Sequence, residues 1–523
     1  MAPHLPSLTR RRALQLAAAG AAATCAPWAR ASNPPADAAA TWRALSRLGY
    51  GPTPALLAQV QQAGGAQAWA RAAIDAALAA SQTPIQLGGL PGDFDAPLPD
   101  IFERYADERK AQRERREART AMAAPNMAAM PATPAPTMTS PAPAAPPAPA
   151  PSAMLATEPI RYSAAVARQS AAWKLLAASR PDLEHPLLAR MSEFWFNHLN
   201  VSADKGTVRP FAGHYQAQAI RSHALGRFEH LLLASARHPA MLYYLDQVQS
   251  VAEGTMQGNQ RRGLNENYAR ELMELHTLGV NGGYSQNDVR ELARVLTGWT
   301  VGPRQPDGFR FAPRGHDTGV KTVLGQRFGG NLDARAGEAE GVAAIRMLAA
   351  HPATARRIAL RLAQWFVADE PPPALVDELA RSFQTSGGDT RALLRTLVGS
   401  SAFWDPAHTL FKTPYDYASS ALAAAGGPQD EREINQTLGL LQNAGQGVLR
   451  WPTPDGYKTD RATWLAPEAL THRADYALNL ARRKPALDFL DPFMQPATLR
   501  QIDAQAPALR AGLLLASREF MSK

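Results

Sequence analysis

The chain has 523 residues, a formal charge of +9 carried mostly by arginine, and a single cysteine. So mild a positive excess over this length gives no support for nucleic-acid binding, and one cysteine excludes a disulfide-stapled fold. The arginine bias has two readings: bidentate recognition of carboxylate or phosphate where arginines cluster, and the plain imprint of a GC-rich genome.

In chain order, Thr9-Arg10-Arg11-Arg12-Ala13-Leu14 resembles a twin-arginine export motif. A modestly apolar run (13–23) and the small-x-small sequence Ala29-Arg30-Ala31 follow it, so residues 1–31 are expected to be a twin-arginine signal peptide. Cleavage after Ala31 would remove Cys25 and four arginines with no acid, reducing the charge by four to +5. No later segment reaches the roughly 18 uninterrupted apolar residues of a membrane anchor. The mature chain is therefore expected to be soluble, and periplasmic or secreted.

From 41 to about 80 the positions Trp42, Leu45, Leu48, Leu56, Leu57, Val60 and Trp69 follow a helical period broken by a Gly-Tyr-Gly-Pro turn. After a Gly, Pro and Asp loop, ADERKAQRERREART carries charge on every side and reads as a solvent-exposed helical arm. Residues 41–122 make the N-terminal helical part of the main domain. Residues 123–153 are Pro, Ala, Met and Thr without charge or period, the composition of a disordered linker. The main helical domain then occupies 154–523. In PLLARMSEFWFNHLNV (186–201), Leu188, Met191, Trp195 and Leu199 form one stripe with His198 at its edge, and Glu193 and Asn197 are expected to face away. His238-Pro239 and His351-Pro352 each mark a helix start, because proline suits the first helical position.

The stretch 264–299 is the richest in signals. Tyr268, Leu272 and Leu275 share one narrow arc of a helix, with His276 inside that arc and Glu271 at its boundary. Glu266, Arg270 and Glu274 stand at i, i+4 steps on the opposite face as a solvated ladder. Gly279 suits a left-handed cap, with Val280 placed for the accompanying apolar contact. Ser285 and Asp288 resemble a capping box opening a second helix, which buries Val289, Leu292, Ala293 and Leu296. The least helical stretch comes next, where alternation around Phe309, Phe311, Val320, Val323 and Phe328 predicts a short β-hairpin or ordered loop near 308–328. The last third returns to amphipathic helices, interrupted by RWPTPDGYKTDRATWLAP (450–467). There Trp451, Tyr457 and Trp464 either line a groove or staple the loop to the core. The fold class is thus mainly α, a large multi-helix globular domain.

The segment ENYARELMELHTLGVNGGYSQNDVRELARVLTGW (266–299) closely resembles the signature of the bacterial domain-of-unknown-function 1800 family. RLGYGPTP (47–54), FWFNHLNVS (194–202), HPAMLYYLD (238–246), HDTGVKTVLG (316–325) and SREF near the C-terminus agree with it. The resemblance implies a helical, exported protein and brings no established activity. Members are often encoded beside a second exported family, domain-of-unknown-function 1501, which looks like the alkaline phosphatase and sulfatase fold, so the resemblance implies such a protein as a partner.

Candidate site residues follow from placement. His198, His276, His316 and Asp317 are the candidate ligands of a divalent metal, since imidazoles on neighbouring helices and a loop His-Asp pair are common donors. In that reading Glu271 and Lys321 are the catalytic candidates, Glu271 as general base toward a metal-activated water. Asn265, Glu266, Asn267 and Arg270 are further polar candidates. No Gly-x-Ser-x-Gly, His-Glu-x-x-His or phosphate-binding glycine loop is present. Two functions remain open: a periplasmic binding or accessory protein for a co-exported partner, and a metal-dependent hydrolase acting on a phosphorylated, sulfated or carbohydrate substrate.

Overall fold

Nearly every regular element is helical, as the 3.6-residue periods require. The computed structural model describes residues 36–123, 161–257, 260, 261, 263–330 and 336–523, so the expected signal peptide and most of the 123–153 linker lie outside the described residues. One continuous core joins Leu45 of helix α1 (Ala36–Arg47) and Leu48 just after it to Leu188, Trp195, Leu272, Leu362, Leu515 and Phe520. Among the described residues no helix is long and apolar enough to cross a membrane. Helix α2 (Leu98–Ala123) buries Ile101 and Phe102 near its start, and its residues 113–120 are all exposed, as an arm with charge on every side should be.

Among the described residues, strand structure is confined to short antiparallel pairs: β1 (Met256–Gln257) with β2 (Gln260–Arg261), β3 (Trp299–Val301) with β4 (Phe309–Phe311), and β5 (Lys321–Val323) with β6 (Gln326–Phe328). The alternation seen near 308–328 therefore divides between two pairs. β4 pairs back onto the end of the 264–299 stretch, while β5 and β6 form their own hairpin. That hairpin turns at Leu324 (φ 50) and Gly325 (φ 78), the two positive angles of a twist-matched tight turn.

Helix α3 (Tyr162–Ser179) and helix α4 (Pro186–His198) pack side by side. The apolar stripe of α4 is buried as its period requires, but Glu193 (3% exposed) and Asn197 (1% exposed) are buried too. A second layer, made by α3 and the 444–457 loop, covers the face expected to be wet.

The 264–299 stretch is a helical hairpin. Helix α5 (Asn267–Glu271) runs directly into a π-helical turn (Leu272–His276), and helix α6 (Gln286–Val295) opens on the Ser285–Asp288 capping box. The wider π turn shifts the register, which is why Met273 is fully buried while Leu275 is only half-buried. Gly279 takes its left-handed angle (φ 87), yet Val280 is 66% exposed and Leu278 fills the apolar position instead. Only the first step of the ladder forms, Glu266 to Arg270 at 3.2 Å, because Glu274 accepts from the Tyr284 hydroxyl.

Pro239 and Pro352 open helices as expected, the second being α7 (Pro352–Phe366). In each the preceding histidine is the N-cap, its Nδ1 accepting from the second helical N–H. Helix α8 (Pro414–Ala424) and helix α9 (Glu431–Asn443) complete the elements around the site.

Candidate functional site

The C-terminal end of α4 fastens two distant segments to one point. Asn197 clamps Tyr457 with both halves of its amide, donating to the Tyr457 carbonyl (3.1 Å) and accepting from its N–H (2.7 Å). Asn200 donates to the carbonyls of Trp451 and Thr453. His198 donates through Nε2 to the carbonyl of His276 at 3.0 Å. The 450–457 loop and the helical hairpin are thus held by three side chains of one FWFNHLN segment. Gly456 (φ 70) permits the close approach, because a Cβ there would sit 2.1 Å from the Asn197 carbonyl. Gly456→Ala is expected to lower stability by about 2 kcal/mol or more. Thermal melts check the loss, and limited proteolysis should show cleavage at 450–457 ahead of global unfolding.

Beneath the clamp lies a buried polar group. Lys174 of α3 pairs with Glu193 Oε2 at 2.6 Å, and the Tyr457 hydroxyl donates to Glu193 Oε1 at 2.6 Å, so both carboxylate oxygens are engaged. Burial and then the Glu193 charge push the Tyr457 phenol well above its ordinary pKa, which keeps it a donor. These residues line a cavity of about 20 Å³ together with Phe196, Asn200, Gln446 and Trp451, room on the order of one small polar group. Gln446 spends its Oε1 on the Tyr415 N–H, which fixes its amide orientation, and leaves Nε2 buried without a partner. The Trp451 indole Nε1 is likewise buried and unpartnered. Beside the Glu193 carboxylate, which Lys174 and Tyr457 engage, the wall presents the Gln446 Nε2–H and the Trp451 Nε1–H, two buried donors that an acceptor would satisfy.

The cavity adjoins a larger cleft of about 490 Å³ between α3 and α9, both being walled by Val448 and Arg450. Between those two residues Leu449 is held in a left-handed conformation (φ 60), its carbonyl accepting from Ala203 at 2.8 Å. A leucine there is a genuine outlier, of the kind that surrounding structure must impose. Three arginines line the cleft. Arg450 pairs with Asp204, Arg209 donates only to the Ala203 carbonyl, and Arg168 has no hydrogen bond or ion pair among the described residues.

The residues singled out from sequence divide among three places. His198 and His276 do meet, ring to carbonyl, under the charges of Arg357 and Arg361. Burial and those charges hold His198 well below its usual pKa, and burial with Arg357 takes His276 to about 3. Glu271 lies near Asp455 and Glu274. Burial and these like charges raise its pKa, and it makes no hydrogen bond or ion pair among the described residues. Asn265 and Asn267 tie the hairpin to the carbonyls of Asp246 and Leu245, while Glu266 and Arg270 form a surface ring with Gln286.

His316 belongs to a different cluster. Its Nδ1 donates to the Thr297 carbonyl (2.9 Å), so Nε2 carries the lone pair facing Lys321 Nζ (3.4 Å), and Lys321 in turn donates to Glu340 (2.8 Å). Asp317 turns away to a two-pronged pairing with Arg294 and caps the Gly319 N–H. The structure thus brings His316 and Lys321 together and separates Asp317 from them. His198, His276, His316 and Asp317 do not converge: among the described residues no group of three or more His, Cys, Asp or Glu side chains could hold a metal ion.

Sequence reasoning missed Lys174, Glu193, Gln446, Arg168 and Arg209. One signal was present, a lysine inside the otherwise apolar run AAWKLLAA of α3, since a buried lysine needs a partner.

A family model described as a protein of unknown function (DUF1800) matches residues 43–521. No curated protein and no solved structure matches the chain.

Proposed function

The chain belongs to the DUF1800 family of proteins of unknown function, and we propose that it is an exported binding protein which captures the acidic group of an organic ligand. One observation carries this reading: a cavity that presents the unpartnered donors of Gln446 and Trp451 beside Lys174 and shares Val448 and Arg450 with an arginine-lined cleft. A carboxylate or sulfate seated there would accept from Lys174 Nζ, Gln446 Nε2 and Trp451 Nε1, and the rest of the ligand would occupy the cleft beside Arg168 and Arg209. Arginine's planar fork matches such groups, and hydrogen bonds to a charged partner are stronger than neutral ones.

The test is calorimetric titration of the mature chain with D-galacturonate and with glucose 6-sulfate. At least one is expected to bind, and Gln446→Glu, which keeps the acceptor used by Tyr415 and removes the free donor, is expected to weaken it by about ten- to a hundredfold, or roughly 1.5–3 kcal/mol. Gly439 offers a second variant that leaves every donor in place. It lies in the helical wall of the cleft, where an added Cβ meets nothing within 4 Å. Gly439→Phe should fill the cleft and abolish binding without loss of stability, since helical glycine is itself unfavourable by about 0.5–1 kcal/mol. Absence of binding by both probes, or full binding in both variants, would sink the reading.

Export is motivated by the Arg10-Arg11-Arg12 leader. Arg11→Lys with Arg12→Lys is expected to leave the unprocessed chain in the cytoplasm, read by fractionation. Equal export of the variant would remove the twin-arginine route. A co-exported alkaline-phosphatase-like partner that acts on the captured ligand fits the same reading, and co-purification of the two exported chains tests it.

A further inference from the structure

A second depression runs beside α2, with a volume of about 840 Å³. Its wall combines two kinds of side chain. One kind is aromatic. Tyr243 stacks on Phe211 (centroids 5.8 Å apart, 24° between planes), and Tyr105 meets the same Phe211 edge-on at 6.3 Å. Both tyrosines remain partly exposed in the groove. The other kind is cationic: Arg109, Lys110, Arg113 and Arg304 are exposed there, and none has a hydrogen bond or ion pair among the described residues. Glu103 is the groove's one carboxylate.

The groove and the cleft between α3 and α9 are neighbours across the 203–209 loop. The Tyr105 hydroxyl donates to the Gly206 carbonyl (3.2 Å). Arg209, a wall of the cleft, is close enough to Tyr105 for its charge to act on that phenol, and Arg109 acts on both Tyr105 and Tyr243. A run of cations therefore passes from Arg304 and Arg109 over the loop to Arg209 and Arg168.

We propose that this groove is a binding track for an acidic polysaccharide, whose chain crosses the 203–209 loop and places one acidic sugar in the cleft. The proposal rests on the reading of the cleft as an acid-binding site. Only an extended ligand can use both depressions. Repeated carboxylates or sulfates suit the arginines, and sugar ring faces suit the partly exposed tyrosines. Glu103 is a hydroxyl acceptor for a sugar, whereas it would repel the closely spaced phosphates of a nucleic acid.

The experiment compares the mature chain with an Arg109→Ala/Arg304→Ala variant and with Tyr243→Ala, using long oligogalacturonate and heparin oligosaccharides as polymer probes, D-galacturonate and glucose 6-sulfate as single-sugar probes, and poly(dT) as the competing class. The cations are exposed, so the double variant should fold normally. The wild type is expected to bind at least one acidic oligosaccharide more tightly than its single sugar, because linked contacts add avidity. The double variant should lose about tenfold or more toward the oligosaccharide and nothing toward the single sugar, with a smaller loss for Tyr243→Ala. Equal oligosaccharide binding in variant and wild type overturns the track while leaving the cleft reading intact. Failure of every acidic probe overturns both. Binding of poly(dT) in place of the glycans, with the same loss in the double variant, overturns the polysaccharide assignment.

Discussion

Asp416→Asn is expected to destabilise the fold by about 3–5 kcal/mol, the usual effect of removing one partner from a buried ion pair. Asp416, 2% exposed on α8, pairs through Oδ1 with Arg190 of α4 and through Oδ2 with the ammonium of Lys523. Lys412 and Arg473 are buried close by, so one carboxylate compensates a crowd of cations. Some of that crowding is relieved by rings: Arg190 lies 4.3 Å from the Tyr50 ring centroid and Lys412 lies 4.3 Å from that of Phe520. Burial raises the Asp416 pKa, but the Arg190 and Lys523 charges outweigh it and hold the carboxyl well below its ordinary 3.8. A depressed carboxyl contributes stability that is present above the unfolded value and is lost as pH falls through the folded one. Urea midpoints at neutral pH should therefore drop sharply in Asp416→Asn, and the variant's curve should be flatter than the wild type's below about pH 4. Replacing the triad together, Arg190→Met, Asp416→Leu and Lys523→Met, should recover only part of the loss, since Lys412 and Arg473 stay buried without the carboxylate that compensates them. A loss below about 1 kcal/mol in Asp416→Asn would show that the carboxylate is not compensating those charges.

The second large effect is acid sensitivity set by histidine. His185 and His214 are held at about 4 by burial, and His276 at about 3 by burial and Arg357. His198 and His238 are pushed well below 6.5 by burial, aided by Arg357 and Arg361 for the first and by His214 for the second. His238 accepts at Nδ1 as an N-cap, so its proton sits on Nε2 and is donated to His214 Nδ1 at 3.0 Å, an arrangement that needs His214 to be neutral. In each case the folded pKa is lowered, so the unfolded chain binds the extra protons. Stability is full above about pH 6.5 and falls as pH drops toward the folded values, by about 1.4 kcal/mol per pH unit for each fully responding group. Several such groups acting together would exhaust a stability on the order of 5–15 kcal/mol by about pH 4.5–5. Denaturant midpoints between pH 7.5 and 5 check this, and His276→Gln should reduce the slope by about one proton. A midpoint constant from pH 7 to 5 would contradict the neutral, buried state of these rings.

How much of this was legible in the sequence depended on whether a residue's role was local. The Ser285 cap, the Gly279 turn and the α6 stripe involve contacts within a few residues, and each was readable from spacing. The π turn was not, because its extra residue per turn leaves no composition signal, and it moved Met273 inward and Leu275 outward. Glu193 and Asn197 were misread for a different reason. Helical periodicity finds an apolar face, but the partners that bury a polar face here, Lys174 and Tyr457, stand 19 and 264 residues from Glu193. The histidines illustrate the converse: His198 does approach His276, but the partner is a carbonyl, which no side-chain pattern encodes. Lys174, a buried charge in an alanine-leucine helix, was the one residue whose chemistry pointed toward the site.

The most direct measurement is a crystal structure of the mature chain soaked with D-galacturonate or glucose 6-sulfate, whichever binds in solution. The acidic group is expected within hydrogen-bond distance of Lys174 Nζ, Gln446 Nε2 and Trp451 Nε1, with the sugar ring in the cleft beside Arg168. A saturating ligand whose acidic group is seated elsewhere, with the Gln446 and Trp451 donors untouched, would contradict the account.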